Sequence, residues 1–334
     1  MSTVSLGDMA QTFMMQRRNG LLKQDIARLT QELSTGRVAD VRQILDGNYS
    51  YLTDLERSLE TLQGYDVATA EATHFASGLQ NSLEKFGDLS QELAHMLLLE
   101  GTTSVGTQGA DAAGNARAAF SALVGVLNSE VAGRNLFSGA ATDTPPLPSA
   151  EVILDELRLA MAGATTANDM IAAAQAWFDD PAGFTAVIYQ GSSADLAPLS
   201  LSDTETVTLD VRADDVELRD MLRQAALAAL ADDPAFSLPP VEQNALFFAT
   251  ATELFGSYDQ LVSLRARVGF AEARIESVAT RNGAQATSLE FARNNLLAVD
   301  PYQTATELEN VQFQLQSLYS VTVRMSQLSL VNFL

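Results

Sequence analysis

The strongest constraint on this chain lies at its two ends. From Asp300 to Leu334 apolar residues recur at alternating steps of three and four. Leu308, Val311, Leu315 and Leu318 keep a heptad rhythm, and Val321, Met325, Leu328 and Asn332 resume it after a slip of one position. The spacing predicts one long helix, started by Asp300-Pro301, since aspartate caps first-turn amides and proline is tolerated at the first helical position. Residues 1–35 carry a matching stripe, with Leu22, Ile26, Leu29 and Leu33 at steps of four, three and four, and Met15 one heptad before Leu22. An amphipathic helix must lay its apolar face on something, and each end offers the other a partner. Closing a loop of this length costs about 5 kcal/mol, whereas each well-buried Leu or Ile returns about 1.5–3 kcal/mol, so the ends are expected to pair. The alternative is that both stripes face the core of an ordinary helical bundle without meeting. The tail from Ser329 to Leu334 is apolar at four of six positions, which is costly in water unless something covers it.

Between the ends the helical texture continues, then breaks, then returns. Gly36 is placed to take the left-handed cap of the first helix, which is expected to run from about residue 10, after a loose start, to Ser34. Leu52, Leu55, Leu59 and Leu62, followed by Leu79, Leu83, Phe86, Leu93 and Leu97, predict a second long helix from about Leu52 to Glu100, weakened at Gly64, Gly78 and Gly87. A Gly- and Thr-rich loop, Gly101–Gly109, precedes a third helix, expected over Ala112–Arg134. Pro145, Pro146 and Pro148 mark one boundary and Pro239-Pro240 a second. Between these boundaries Ala150–Met161 and Asn168–Phe178 read as helices. Phe184–Gln190 is aromatic and β-branched, and Val207, Leu209 and Val211 alternate with polar residues as in a half-exposed strand. From Val241 to Asn295 the pattern is helical again. The expected fold is therefore mainly α: an elongated helical bundle formed by the N- and C-terminal long helices, with an inserted mixed α+β domain. Its expected divisions are 1–40, 41–144 with 239–299, 145–238, and 300–334. An inserted domain requires its host's halves to meet, which independently supports pairing of the ends.

Charge narrows the choice of partners. The formal net charge is −22, which disfavours nucleic acid and anionic lipid. Residues 140–250 hold 18 acidic and 4 basic side chains, a balance of −14, whereas residues 1–40 hold 4 and 5, a balance of +1. A near-neutral terminal region suits packing against other chains. No apolar run reaches membrane-spanning length, and Met1–Gln11 lacks the features of a secretory signal, so no membrane insertion and no cleaved leader are expected.

Catalytic groups are hard to find. There is no cysteine, which excludes disulfides, thiolate metal sites and a cysteine nucleophile. His74 and His95, on one continuous helix, would stand about 31 Å apart and could not share a metal. The chain has no phosphate-binding Gly-rich loop, helical zinc motif, EF-hand loop or nucleophile elbow. Asp179-Asp180, Asp214-Asp215 and Asp232-Asp233 read as loop caps rather than acid–base pairs, because neighbouring residues on an extended strand face opposite ways and two of these pairs precede proline. Asn48-Tyr49-Ser50 fits a glycosylation sequon. No catalytic residue, cofactor site or metal site is expected, and the chain reads as a structural subunit that packs laterally into an assembly. The candidate assembly interface is Met15, Leu22, Ile26, Leu29 and Leu33 with Leu308, Val311, Leu315, Leu318, Met325 and Leu328.

Four segments carry a resemblance. Leu33-Ser34-Thr35-Gly36-Arg37, Asn135-Leu136-Phe137-Ser138-Gly139 with Thr142 and Pro145-Pro146, Ile188-Tyr189-Gln190-Gly191, and Asp300 with Thr304–Leu308 and the tail Leu328–Leu334 occur in an order similar to that of the flagellin superfamily, on the side of its hook-associated junction subunits. The chain departs from that pattern at Val38-Ala39-Asp40-Val41-Arg42, which has one acid where members carry paired aspartates. The resemblance implies a non-enzymatic, extracellular flagellar subunit, exported through the flagellar type III apparatus with the help of a cytoplasmic chaperone. Its implied neighbours are a hook-associated protein on the hook side, flagellin on the filament side, and further copies of itself laterally. The nearest alternative is flagellin itself; a secreted adhesin, or an enzyme within residues 145–238, are alternatives from other classes.

Overall fold

The structure, a computed structural model, describes residues 6–42, 49–102 and 108–331, the side chains of 6–8, 108–110 and 326–331 excepted. Within them the chain is mainly α. The helices are α1 (Leu6–Thr35), α2 (Ser50–Thr102), α3 (Gln108–Leu127), α4 (Ala150–Ala160), α5 (Ala167–Asp179), α6 (Phe184–Val187), α7 (Val216–Ala229), α8 (Pro240–Leu297) and α9 (Pro301–Val331). Among the described residues strands form two short antiparallel ladders, β1 (Glu130–Val131) with β2 (Arg134–Asn135), and β3 (Leu199–Ser200) with β4 (Thr206–Val207), beside one isolated bridge between Arg37 and Ala298. The chain divides into two compact units, one made of Met1–Leu62 with Ala284–Leu334 and the other of Gln63–Gly283.

In the larger unit α2 and α8 run antiparallel. Ser77 Oγ donates to Glu272 Oε1 at 3.2 Å, Arg265 pairs with Glu84 at 3.3 Å, and His95 meets Phe255 edge-on with ring centroids 4.9 Å apart. α3 packs on α7, and α7 on α5. The pattern Leu79, Leu83, Phe86, Leu93 and Leu97 is buried, as the helical spacing requires, together with Phe120 and Leu123 of α3. From Gln224 to Ala231 α7 and its end are buried on all sides, which small alanines permit by letting neighbouring helices approach closely.

Four local expectations are corrected. The third helix ends at Leu127 rather than Arg134, because Ala132 and Gly133 both take positive φ (51° and 76°) and turn the chain into the β1–β2 hairpin. Phe184–Gln190 begins as the short helix α6, whose Phe184 and Ile188, four apart, are both buried; Phe184 stacks on Phe178 at 4.8 Å. Val207, Leu209 and Val211 are buried in alternation as expected, but only Thr206–Val207 forms a ladder. Helix also extends through Gly101 and Thr102 and resumes at Gln108, narrowing the Gly101–Gly109 loop; Asn48 of the sequon lies outside the described residues.

Candidate assembly surface

The terminal helices pair within the chain. Gln11 Nε2 donates to Met325 Sδ at 3.7 Å, Thr322 Oγ1 donates to Met15 Sδ at 3.9 Å, and Arg37 forms an antiparallel bridge with Ala298. These contacts fix a register in which Leu22 stands level with Leu315, Ile26 with Val311, and Leu29 with Leu308. Leu22 and Leu29 are buried; Met15, Ile26, Leu308, Val311, Leu315, Leu318 and Met325 are half-buried, and Leu33 is exposed. Leu328 and the tail Ser329–Leu334 fall outside the described side chains.

Two of the four segments singled out above form a clasp at the foot of this pair. Gly36, at φ +67°, ends α1 with its N–H on Glu32 O at 2.8 Å, the left-handed cap expected there. Val38 N–H then donates to Leu297 O at 3.0 Å, Val299 N–H to Gly36 O at 3.2 Å, and Arg37 to Asn294 Oδ1 at 2.6 Å. Asp300 caps α9 by accepting from Tyr302 N–H at 2.8 Å and Gln303 N–H at 3.2 Å. The Glu32 carboxylate is buried but satisfied, by Arg28 at 3.1 Å and by the Ala39 N–H at 3.1 Å. A polar groove of about 400 Å³ lies beside it, walled by Arg28, Glu32, Asp300 and Glu307.

The other two segments meet inside the larger unit. Ser192 N–H donates to Ser138 O at 2.9 Å, Ala140 N–H to Ala194 O at 2.9 Å, and Ala213 N–H to Phe137 O at 3.0 Å. The Tyr189 hydroxyl lies within reach of the carbonyls of Ser192 (3.2 Å) and Phe137 (3.4 Å), and burial pushes its pKa well up, so it remains a donor. Gly139 sits at φ +60°, where an added Cβ would come within 2.6 Å of Ala194 O. Arg212 closes the knot. Its guanidinium lies 3.3 Å from Asp214, 3.5 Å from Asp195 and 3.9 Å from Asp215. Burial raises the pKa of Asp214, and pushes that of Asp215 to about 6. Both pairs of segments are thus architectural: each ties chain regions that are distant in sequence.

The carboxylate pairs behave as caps and ion-pair partners. Asp180 accepts from Ala182 N–H at 2.9 Å, Asp179 lies 3.8 Å from Arg219, and Asp233 accepts from Arg158 at 2.8 Å. Among the described residues no group of three or more His, Cys, Asp or Glu side chains could hold a metal ion, and no helix is long and apolar enough to cross a membrane. Heptad reading passes over the outward faces of the terminal pair. There Phe13 (67% exposed), Met14 and Leu21 on α1, and Tyr302, Phe313 (70% exposed) and Val323 on α9, stand in solvent. The signal for them is present as a second four-residue spacing, Phe13, Arg17 and Leu21, out of phase with the first.

Comparison with known proteins finds a family match at the C-terminal end. Residues 256–334 match the family model of the bacterial flagellin C-terminal helical region, which includes α9 and much of α8. The fold of the chain is similar to a solved structure provisionally assigned as a flagellar hook-associated protein from Vibrio parahaemolyticus. The TM-score is 0.52 and the identity 15%, over 73% of this chain and 95% of that one. No curated protein matches the chain in sequence.

Proposed function

We propose that this chain is a non-enzymatic structural subunit of the bacterial flagellum, placed at the hook–filament junction. The observation that carries the reading is the terminal helix pair. It coincides with a flagellin-type C-terminal region, is stitched by the clasp at Gly36–Val38 and Leu297–Asp300, and leaves large apolar side chains outward where other subunits would cover them. In this reading Met15, Leu22, Ile26, Leu29, Leu33, Leu308, Val311, Leu315, Leu318, Met325 and Leu328 form the inner seam. Its half-covered members lose their remaining exposure on assembly. Segments 1–40 and 300–334 are the assembly helices, 41–144 with 239–299 the helical domain, and 145–238 the outer domain. The neighbours are a hook-associated protein, flagellin and lateral copies of the chain, and export proceeds through the flagellar type III apparatus with a chaperone. Labelled antibody on isolated flagella should mark a single narrow band between hook and filament. Cells lacking the protein should make hooks, shed unpolymerised flagellin into the medium and carry no filaments.

Flagellin is the second reading, favoured by the family match to the flagellin C-terminal region itself. A filament subunit stacks on itself without limit, whereas a junction subunit presents unlike surfaces above and below. Purified protein seeded with hook fragments should fail to elongate. Long filaments grown from such seeds would replace the junction reading with the flagellin one.

A further inference from the structure

The outward faces of the terminal pair are complementary to each other in charge and in spacing. On α1, Phe13, Arg17, Leu21 and Gln24 follow one another at steps of four, four and three on the side away from Leu22 and Leu29, and all four are exposed. On α9, Tyr302, Ala305, Glu309 and Phe313 follow at steps of three, four and four; Tyr302, Glu309 and Phe313 are exposed and Ala305 is half-buried. Among the described residues neither Arg17 nor Glu309 has a charged partner. Laid antiparallel with Arg17 on Glu309, the two stripes match at every position: Phe13 meets Phe313, Leu21 meets Ala305, and Gln24 meets Tyr302. A single chain cannot make this contact, because both faces point away from its own helix seam.

We infer that the occupant of each outward face is a second copy of this chain, the α9 face of one copy docking antiparallel on the α1 face of the next, with Glu309 against Arg17 and Phe313 against Phe13. The inference rests on the assembly reading above and adds to it a register. Within one chain Arg17 stands level with Ser320, whereas across the contact it stands level with Glu309. Successive copies are therefore offset along the helix axis by about 16 Å, roughly eleven residues at 1.5 Å each. The contact is heterologous, using one face as donor and a different face as acceptor, so it repeats around a ring or helix instead of stopping at a dimer. Charge sets the register, since every other axial offset separates Arg17 from Glu309, and the two phenylalanines supply apolar area at one end of the stripe.

The chain has no cysteine, so introduced thiols report cleanly. A chain carrying both Phe13→Cys and Phe313→Cys, produced in place of the native protein, should give a ladder of disulfide-linked multimers when isolated flagella are treated with a mild oxidant. Each single variant should remain monomeric, and the combination Phe13→Cys with Tyr302→Cys, misaligned by about 16 Å at 1.5 Å per residue, should give no ladder. In a second series, Arg17→Glu and Glu309→Arg should each lower incorporation at least tenfold, and the double reversal should restore it. Subunits present on flagella without the Phe13–Phe313 ladder, or with equal ladders from both combinations, overturn this register and leave the junction reading standing. So does a double reversal that fails to rescue. Absence of the native protein from flagella overturns both.

Discussion

The two units of this molecule solve the burial problem in opposite ways. The larger unit encloses its aromatic core completely: Phe86, Phe120, Phe137, Phe178, Phe184 and Phe247 have almost no exposed surface. The smaller unit buries Leu22 and Leu29 of α1 and Leu52, Leu55, Leu59 and Leu62 of α2, yet no apolar side chain described on α9 is buried. It leaves Phe13, Met14, Leu21, Tyr302, Phe313 and Val323 in solvent. A pair of helices has one seam between them, and whatever is apolar on their other faces must find cover elsewhere. The larger unit closes an aromatic core of its own even though Phe248 and Phe270 of α8 stand outward, whereas no aromatic side chain described in the smaller unit is buried.

The largest expected effect tests the first half of that contrast. Phe120→Ala removes a ring with no exposed surface from the centre of the larger unit, and should lower unfolding stability by about 3–5 kcal/mol, read from the urea midpoint of the purified chain. A loss under about 1 kcal/mol would mean that this core is loosely packed.

A smaller effect comes from the knot around Arg212. Burial raises the pKa of Asp215 to about 6, above its ordinary value of about 3.9. The folded state therefore holds this proton more tightly than the unfolded chain does. Its contribution to stability is complete below about pH 4 and is lost as the pH rises through 6. Asp215→Asn keeps a side-chain acceptor for the Arg212 N–H, which Asp215 Oδ2 accepts at 2.9 Å, and removes the ionisation. Relative to the native chain, the variant should gain about 2–3 kcal/mol between pH 4 and pH 7. Equal slopes for the two proteins would show that Asp215 is solvated. The assembly component, if it behaves as proposed, should be indifferent to this change.

Glycine offers a direct comparison of the units. Gly36 and Gly139 share nearly the same backbone, at φ +67° and +60°, but Gly36 has open space where a Cβ would go whereas Gly139 has the carbonyls of Ala194 and Ser192 at 2.6 and 2.8 Å. Gly36→Ala should cost about 1 kcal/mol, the left-handed penalty alone. Gly139→Ala should cost about twice that or more, since the opposing atoms are backbone and must move. Equal costs in thermal unfolding would mean that the knot is pliable.

What the sequence made legible divides along the same line. The terminal stripes, the Asp300-Pro301 start, the Gly36 cap and the helical return after Pro239-Pro240 all depend on local chemistry, and the structure has them where that chemistry puts them. Harder to read were segments whose conformation is decided by distant partners. Phe184 and Ile188 suit a strand by composition and a single helical turn by spacing, and packing against Phe178 favours the turn. Val207, Leu209 and Val211 alternate faithfully, but alternation reports side-chain burial and says nothing of whether a neighbouring strand exists. Of the candidate interface, the inner seam was visible as a heptad. The outward stripe was not, because Arg17 and Glu309 interrupt its apolar residues and the eye for amphipathicity rejects a charged position.

The smallest expected effect is the one that tests the second half of the contrast. Phe313 is 70% exposed on the outward face of α9, so truncating it removes little buried surface from the isolated chain. Phe313→Ala should therefore change the unfolding stability of the monomer by no more than about 0.5 kcal/mol, the range of surface substitutions away from special features. A ring held in solvent at this position has no folding role to lose. If the substitution instead destabilises the monomer by 2 kcal/mol or more, something within the chain already covers Phe313, the outward face of α9 is not free, and the smaller unit is as self-sufficient as the larger. If stability is unchanged while incorporation into flagella falls, the ring matters only once a neighbour is present, which is the behaviour expected of a surface built for assembly.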